Sequence, residues 1–510
     1  MLKATLYATL FLVWPVLSEA RSQTESAASS PHGLEPGEFS VGFRLIEEPD
    51  YSRAVTGGTS RSEAHPRPIR TYLWYPAMPS KDAQPMRFGR YAALADEDVW
   101  PPEILGALRE KLQYSRRPLA RSLDPERLEA LLQRPVVAIE DAEALEGPFP
   151  LIVIGQGLYY ESPVALAALS EYLAGRGFAV ATSPLVGTDS PIVRIDVQGL
   201  ETQARDLEFV IGQARRLSFV SQDELGVFGF DMGAHAALIL AMRNPDVDAF
   251  VSASSGVADS HGFLVASPHY DPLALRIPWL HCVHVEWPTQ PPTLFDTALH
   301  SERYLLSTEG MGHVDFTSYA LVDERGPAYG YWAAAHPGGV EGHRAVSRYI
   351  ATFLAAFLKQ DSASRELLSR DPKESVPAST MTLEHRPATP APITYEEFVQ
   401  AVLAGRADRA IDEVRGLRET YPDHILLDEQ CLRRLVSSLS NTWGFTEEVM
   451  PVIRLRAELY PSSVDARRML AEGHIRVGDY PAAIEVYSRL VEQNPDDSYS
   501  KSRLEWLRSQ

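Results

Sequence analysis

From Phe149 onward the chain repeats one pattern: a short apolar run, then a stretch with helical spacing. The runs are "PLIVIG", "GFAVATSP", "LGVFGF", "DAFVSAS", "IPWLHCVHVE" and "RYLLST", and helical spacing falls at 163–175, 199–216, 232–244 and 341–358. Unbroken apolar strands joined by helical crossovers require a parallel sheet covered on both faces, because only such strands bury both sides. The fold class predicted is α/β, doubly wound and mostly parallel. Ahead of this series, "FSVGFRLIEEPDYS" and "RPIRTYLWYPA" alternate β-branched and aromatic residues between turn formers, which predicts an antiparallel edge.

Other segments break the pattern. Residues 88–134 contain "EILGALREKLQYS" and "DPERLEALLQRP", whose apolar spacings of three and four predict a helical insertion able to lie over a pocket as a lid. Residues 361–392 are rich in Ser, Pro and charge and read as a partly extended linker, so the α/β domain is placed at 38–360. Beyond it, 393–510 reads as three helix-turn-helix units. Their turn glycines Gly405, Gly444 and Gly478 and closing prolines Pro422, Pro461 and Pro495 recur at the same two intervals. The last unit, with Leu470, Gly478, Tyr480, Ala483, Tyr487 and Pro495, resembles the tetratricopeptide repeat, which implies a small helical solenoid able to hold a protein or peptide partner.

The opening "MLKATLYATLFLVWPVLSEA" has one lysine, an apolar run too short for a membrane span, and a small-residue end. It reads as a signal peptide over 1–20, cleaved near Ala20, ahead of a polar leader at 21–37. A secreted or periplasmic location follows, with no membrane span after cleavage. The two cysteines, Cys282 and Cys431, fall in different predicted domains and lack C-x-x-C spacing, so no disulfide is expected. With 48 basic against 68 acidic residues the net charge is −20, which opposes binding to nucleic acid or anionic lipid. A chain of 510 residues, 45% hydrophobic, has ample material for a buried core.

The candidate chemistry sits in "GVFGFDMGAHAALILAMRNP", residues 226–245. A strand ending in Gly-x-X-x-Gly and running straight into a helix holds its middle residue in a strained turn, with the glycines allowing strand and helix to approach. Gly229 and Gly233 flank Asp231 here. With "PLIVIGQG", "ETQARDLEFVIGQ" and "GMGHVDFTS", this stretch makes residues 40–360 resemble the α/β-hydrolase superfamily, in the branch of dienelactone hydrolases and platelet-activating-factor acetylhydrolase-like esterases.

The resemblance implies a nucleophile at Asp231, a general base at His313 and an oxyanion hole made by the backbone N–H groups of Leu158 and Met232. The chain also departs from the family pattern. Asp231 stands where serine is usual, Ser254 where this branch places its acid, and Gln156 where histidine is common. Glu286, at the end of a strand, is the expected partner of His313, with Asp315 as the fallback, since a carboxylate holds the ring tautomer better than a hydroxyl does. Three uses of Asp231 stay open: attack on carbon to form an ester intermediate, general base for water, or a relic held by the two amides. No cofactor is expected. Cys282, His284 and Glu286 share a strand face, but a strand buried on both sides carries such residues for packing, so no metal is expected either. The implied function is hydrolysis of an ester-like or other small organic substrate. The alternative is an inactive hydrolase-fold binding protein acting through its helical repeats.

Overall fold

The computed structural model describes residues 33–55, 64–79, 83–96, 100, 102–105, 123–158, 163–189, 191–259, 262–285, 293–321, 336–375, 381–442 and 447–510. The signal-peptide segment, most of the leader, Gly444 and Glu286 lie outside them. The chain divides into two units, Met1–Thr389 and Pro390–Gln510.

The first unit is built on a ten-stranded sheet. Its strands are β1 (Ser40–Val55), β2 (His65–Ala77), β3 (Ile139–Glu140), β4 (Phe149–Gly155), β5 (Ala179–Thr182), β6 (Val220–Phe230), β7 (Ala249–Ala253), β8 (Trp279–His284), β9 (Arg303–Thr308) and β10 (Thr382–Arg386). The spatial order is β10-β9-β8-β7-β6-β4-β5-β2-β1-β3. Strands β4 to β9 are parallel neighbours, and β2 runs antiparallel to both β1 and β5. The chain reverses direction across the sheet around β4, so the loops after β4 and β6 open side by side at the carboxyl ends of the strands, where α/β folds place their sites.

Both faces are covered, as the apolar runs require. One core packs helices Ala167–Ala174 and Gly339–Leu358 against Ile152, Ile154, Val180 and Val251. The other packs helices Val197–Ala214 and Met232–Arg243 against Leu151, Val153, Ala181 and Val227. Successive residues of β4 feed opposite cores, the period-two rule of a strand. Ile152 is fully buried, so truncating it to alanine would cost about 2–5 kcal/mol.

Two boundary expectations need correction. The insertion 88–134 is helical where described, with helices Phe88–Asp96, Pro102–Leu105 and Pro125–Leu132. Its first helix is not a free lid: Trp74 Nε1 donates to Tyr91 Oη at 2.7 Å, and Tyr91 Oη donates to the buried Glu171 at 2.7 Å. A buried tyrosine serving a buried carboxylate ties that helix into the core. The stretch taken as linker supplies β10, which pairs antiparallel with β9 from Thr382↔Ser307 to Arg386↔Arg303. Its polar sequence, "TLEHR", suits an exposed sheet edge, where charge discourages pairing with other chains. Arg386 reaches Asp296 at 2.6 Å and the His385 ring stacks on Tyr304 with centroids 4.5 Å apart, which fixes the strand there.

The second unit is all helical. Seven α-helices are present among its described residues: Tyr395–Leu403, Ala407–Thr420, Glu429–Thr442, Met450–Leu459, Val464–Arg476, Tyr480–Gln493 and Ser498–Arg508. Gly405 and Gly478 sit at φ 69° and 79° in the turns between helices, a region that favours glycine. The Arg456 side chain is buried and bonds Glu429 at 3.0 Å and Asp465 at 2.7 Å, joining three helices through one guanidinium. Among the described residues of the chain no helix is long and apolar enough to cross a membrane.

Candidate active site

β6 ends at Phe230 and the next helix begins at Met232, leaving Asp231 alone to turn the chain, with φ 51° and ψ −122°. A side chain there stores roughly 1–3 kcal/mol of backbone strain, which the surrounding packing has to hold. The flanking glycines are required by contact. A Cβ on Gly229 would lie 2.3 Å from Ala234 Cα, and one on Gly233 would lie 2.1 Å from the Gly155 carbonyl oxygen.

The turn aims the Asp231 carboxylate at the loop after β4. The Leu158 N–H donates to Asp231 Oδ2 at 2.8 Å. The Leu158 amide is one of the two expected to hold an oxyanion, and here it holds the side chain itself. Burial pushes the Asp231 pKa above the usual carboxylate value, while the nearby His313 charge and the two amides pull it down by less.

His313 opens a short turn, His313–Phe316, after β9. Its ring stacks on Phe230 with centroids 4.8 Å apart, and its Nδ1 lies 2.8 Å from Ser254 Oγ. Burial lowers the His313 pKa, against the opposing pull of Asp231 and the Ser254 bond, so the neutral ring is favoured. Ser254 is fully buried at the end of β7, with φ 42°, and its N–H donates to the Cys282 carbonyl at 2.8 Å. Asp231, His313 and Ser254 thus meet at the ends of three segments far apart in sequence.

The expectation that a carboxylate rather than Ser254 faces His313 needs correction at Nδ1: the hydroxyl holds that nitrogen. Glu286 lies outside the described residues. Asp315, the fallback acid, is turned inward, where Oδ2 accepts from the Gly312 N–H and from His336 Nδ1, both at 2.7 Å. It braces the loop that carries His313. Gln156 is buried, with Nε2 donating to Thr182 Oγ1 at 3.1 Å and its main-chain carbonyl accepting from Gln203 Nε2 at 3.0 Å. Cys282 lies in the core, and burial raises its thiol pKa. Among the described residues no group of three or more His, Cys, Asp or Glu side chains is placed to hold a metal ion.

Sequence reasoning missed one polar centre nearby. Arg67 makes a bidentate bond to Asp206, Nε to Oδ1 at 2.7 Å and Nη2 to Oδ2 at 2.6 Å, with both residues buried. The same guanidinium donates to the carbonyls of Gly187 and Thr188 at 2.6 and 3.0 Å, which fixes the loop after β5. No local motif marks a pair 139 residues apart.

No family model matches the chain, and no curated protein matches it. Solved structures do resemble it. A ferulic acid esterase from Streptomyces cinnamoneus aligns over 63% of this chain and 91% of its own, at 22% identity and a TM-score of 0.47.

Proposed function

We propose that this chain is an exported hydrolase of a small organic substrate in which Asp231 attacks saturated carbon. The Leu158 N–H to Asp231 Oδ2 bond at 2.8 Å carries the reading. An oxygen held by an amide fixes the rotation of the carboxylate. Attack by Asp231 on a carbon bearing a leaving group forms a C–O bond and expels that group with its electron pair. Water then adds to Cγ of the ester while His313 takes its proton, and the charge develops on oxygen beside the Leu158 and Met232 amides. Collapse releases an alcohol and returns the carboxylate with one oxygen from water. Attack on an ordinary ester is disfavoured, because a carboxylate is a weak nucleophile toward acyl carbon, the product would be a mixed anhydride, and the Leu158 amide that would hold the oxyanion is already engaged by Asp231.

Single turnover in heavy-oxygen water with enzyme in excess, over a panel of haloalkanes and epoxides, tests this directly. Label in the peptide bearing Asp231 supports the nucleophile. Label found only in the product alcohol means that water attacks the substrate itself.

The filled oxyanion position and the hydroxyl at His313 Nδ1 favour a second reading, a binding protein without catalysis. In it the helical unit, resembling tetratricopeptide repeats, takes a peptide in a groove of about 450 Å³ lined by Val436, Ser440, Asp465, Arg468, Glu472 and Tyr499. Turnover of no substrate in that panel would favour it.

A further inference from the structure

We infer that a cavity over the polar face of the helix Val197–Ala214 binds a small organic carboxylate, at a site separate from Asp231 and independent of the reaction proposed there.

The cavity has a volume of about 630 Å³, within the range of small-molecule sites. The helix builds one wall by its spacing. Leu200, Ala204 and Leu207 turn into the core, which leaves Gln198, Glu201, Thr202 and Arg205 in a stripe along the cavity. Arg53 and Ala54, at the end of β1, and Pro268 with His269 form other walls. Among the described residues that line it are neither Asp231 nor His313.

Two arginines of the lining differ in how their donors are used. Arg67 is satisfied at every nitrogen: Nε and Nη2 bond Asp206, Nη2 also bonds the Val186 carbonyl at 3.3 Å, and Nη1 bonds the Gly187 and Thr188 carbonyls. Arg53 is not. Its Nε reaches Asp50 Oδ2 at 2.5 Å and its Nη1 reaches Asp206 Oδ1 at 2.8 Å, while its Nη2 is buried with no hydrogen-bond partner. A buried guanidinium N–H without an acceptor is uncommon in folded proteins, and a ligand oxygen supplies the acceptor it lacks. Arg205 adds a second cation at the mouth, with its side chain 56% exposed and its Nε on Glu201 at 2.7 Å, so its two Nη groups are left for an incoming anion.

The charges select a monoanion. Arg53, Arg67 and Arg205 carry three formal positive charges, and their partners Asp50, Asp206 and Glu201 carry three negative ones. One carboxylate adds a single charge to this balanced set and has two oxygens to share between guanidinium groups. A phosphate dianion would bring twice the charge against the same three acids. Ala54, Val197 and Pro268 give apolar surface for an organic body.

Isothermal titration calorimetry of the full chain with benzoate tests this, beside benzyl alcohol as the uncharged body and inorganic phosphate as an anion without one. Benzoate should bind with a Kd at or below about 1 mM, and the other two probes at least about tenfold more weakly. Arg205→Ala, a change at an exposed helix position, should weaken benzoate at least about fivefold. Val197→Glu, which adds an acid to the lining, should abolish binding. Circular dichroism shows that each variant is folded. No benzoate binding, binding of phosphate or benzyl alcohol as tight as that of benzoate, or an affinity unchanged in Arg205→Ala overturns the inference. If Val197→Glu does not fold, the three probes and Arg205→Ala decide.

Discussion

The Leu158 N–H points at Asp231 Oδ2 from 2.8 Å, so the amide that the family resemblance assigns to an oxyanion already serves the apex side chain. A strained turn, the Leu158 amide and a histidine converge on one carboxylate, so a charge is built into the protein there. The consequences can be measured in stability as well as in activity.

Asp231→Asn is expected to raise stability at neutral pH by about 1 kcal/mol, a usual gain when a functional site gives up an unfavourable feature. The folded pKa of Asp231 lies above its unfolded value, so the stability this group contributes is present at low pH and lost as pH rises through the folded value. The gain in the asparagine variant should be largest near neutrality and fade on acidification. Thermal midpoints of both proteins at pH 7 and near pH 3 would show it. An equal difference at both pH values would speak against a buried charge.

Asp206→Ala should destabilise the first unit by about 3–5 kcal/mol, because it strands buried Arg67 without its bidentate partner. Arg53, whose Nη1 lies 2.8 Å from Asp206 Oδ1, loses a partner in the same step. Urea unfolding of the variant reads the loss directly, and a change below about 1 kcal/mol would place the pair among those that solvent easily replaces.

His281 offers a third test. Its ring sits in the core with Nδ1 2.7 Å from Ser252 Oγ, and burial lowers its pKa to about 4 from 6.5. Below 6.5 the unfolded chain takes a proton that the folded chain refuses, so stability is full above that pH and falls as pH drops toward about 4. The loss attributable to this one residue should approach ~3 kcal/mol. His281→Gln keeps a polar partner for Ser252 and removes the titration, so its stability should fall less steeply with acid. Parallel slopes for the two proteins would assign acid sensitivity elsewhere.

The sheet and the elbow were legible because each rests on a local signal: unbroken apolar runs in β4 and β6 to β8, and two glycines around Asp231. The edge strand β10 was not, because four polar residues around a single half-buried leucine on a sheet edge carry no alternating apolar pattern, and their partner β9 lies more than seventy residues away. At the site, "GFDMG" and "GMGH" located Asp231 and His313. The role of Ser254 was harder to read, since a serine at the end of a buried strand looks like any small core residue until its hydroxyl meets a ring nitrogen. The Arg67–Asp206 pair has no signature at all, being made by folding alone.

The last expectation concerns the exchanged positions. In the family pattern that the sequence resembles, Asp231 stands at the serine position and Ser254 at the acid position, and Ser254 Oγ lies 2.8 Å from His313 Nδ1. Asp231→Ser frees the Leu158 amide for an oxyanion and supplies a hydroxyl, so hydrolysis of small activated esters should rise above that of the wild type. The gain should be modest, because Ser254 leaves the His313 tautomer unpinned. Adding Ser254→Asp supplies the acceptor for Nδ1–H, and the φ of 42° at that position is one that Asp tolerates better than most residues. The lost acid of a serine triad costs about four orders of magnitude in kcat, so the double exchange should exceed Asp231→Ser by at least roughly 100-fold. An added His313→Ala change should abolish the gain. Near-ultraviolet circular dichroism confirms that each protein is folded. A folded double exchange no better than Asp231→Ser would show that the three side chains, although gathered, are not aligned for acyl transfer.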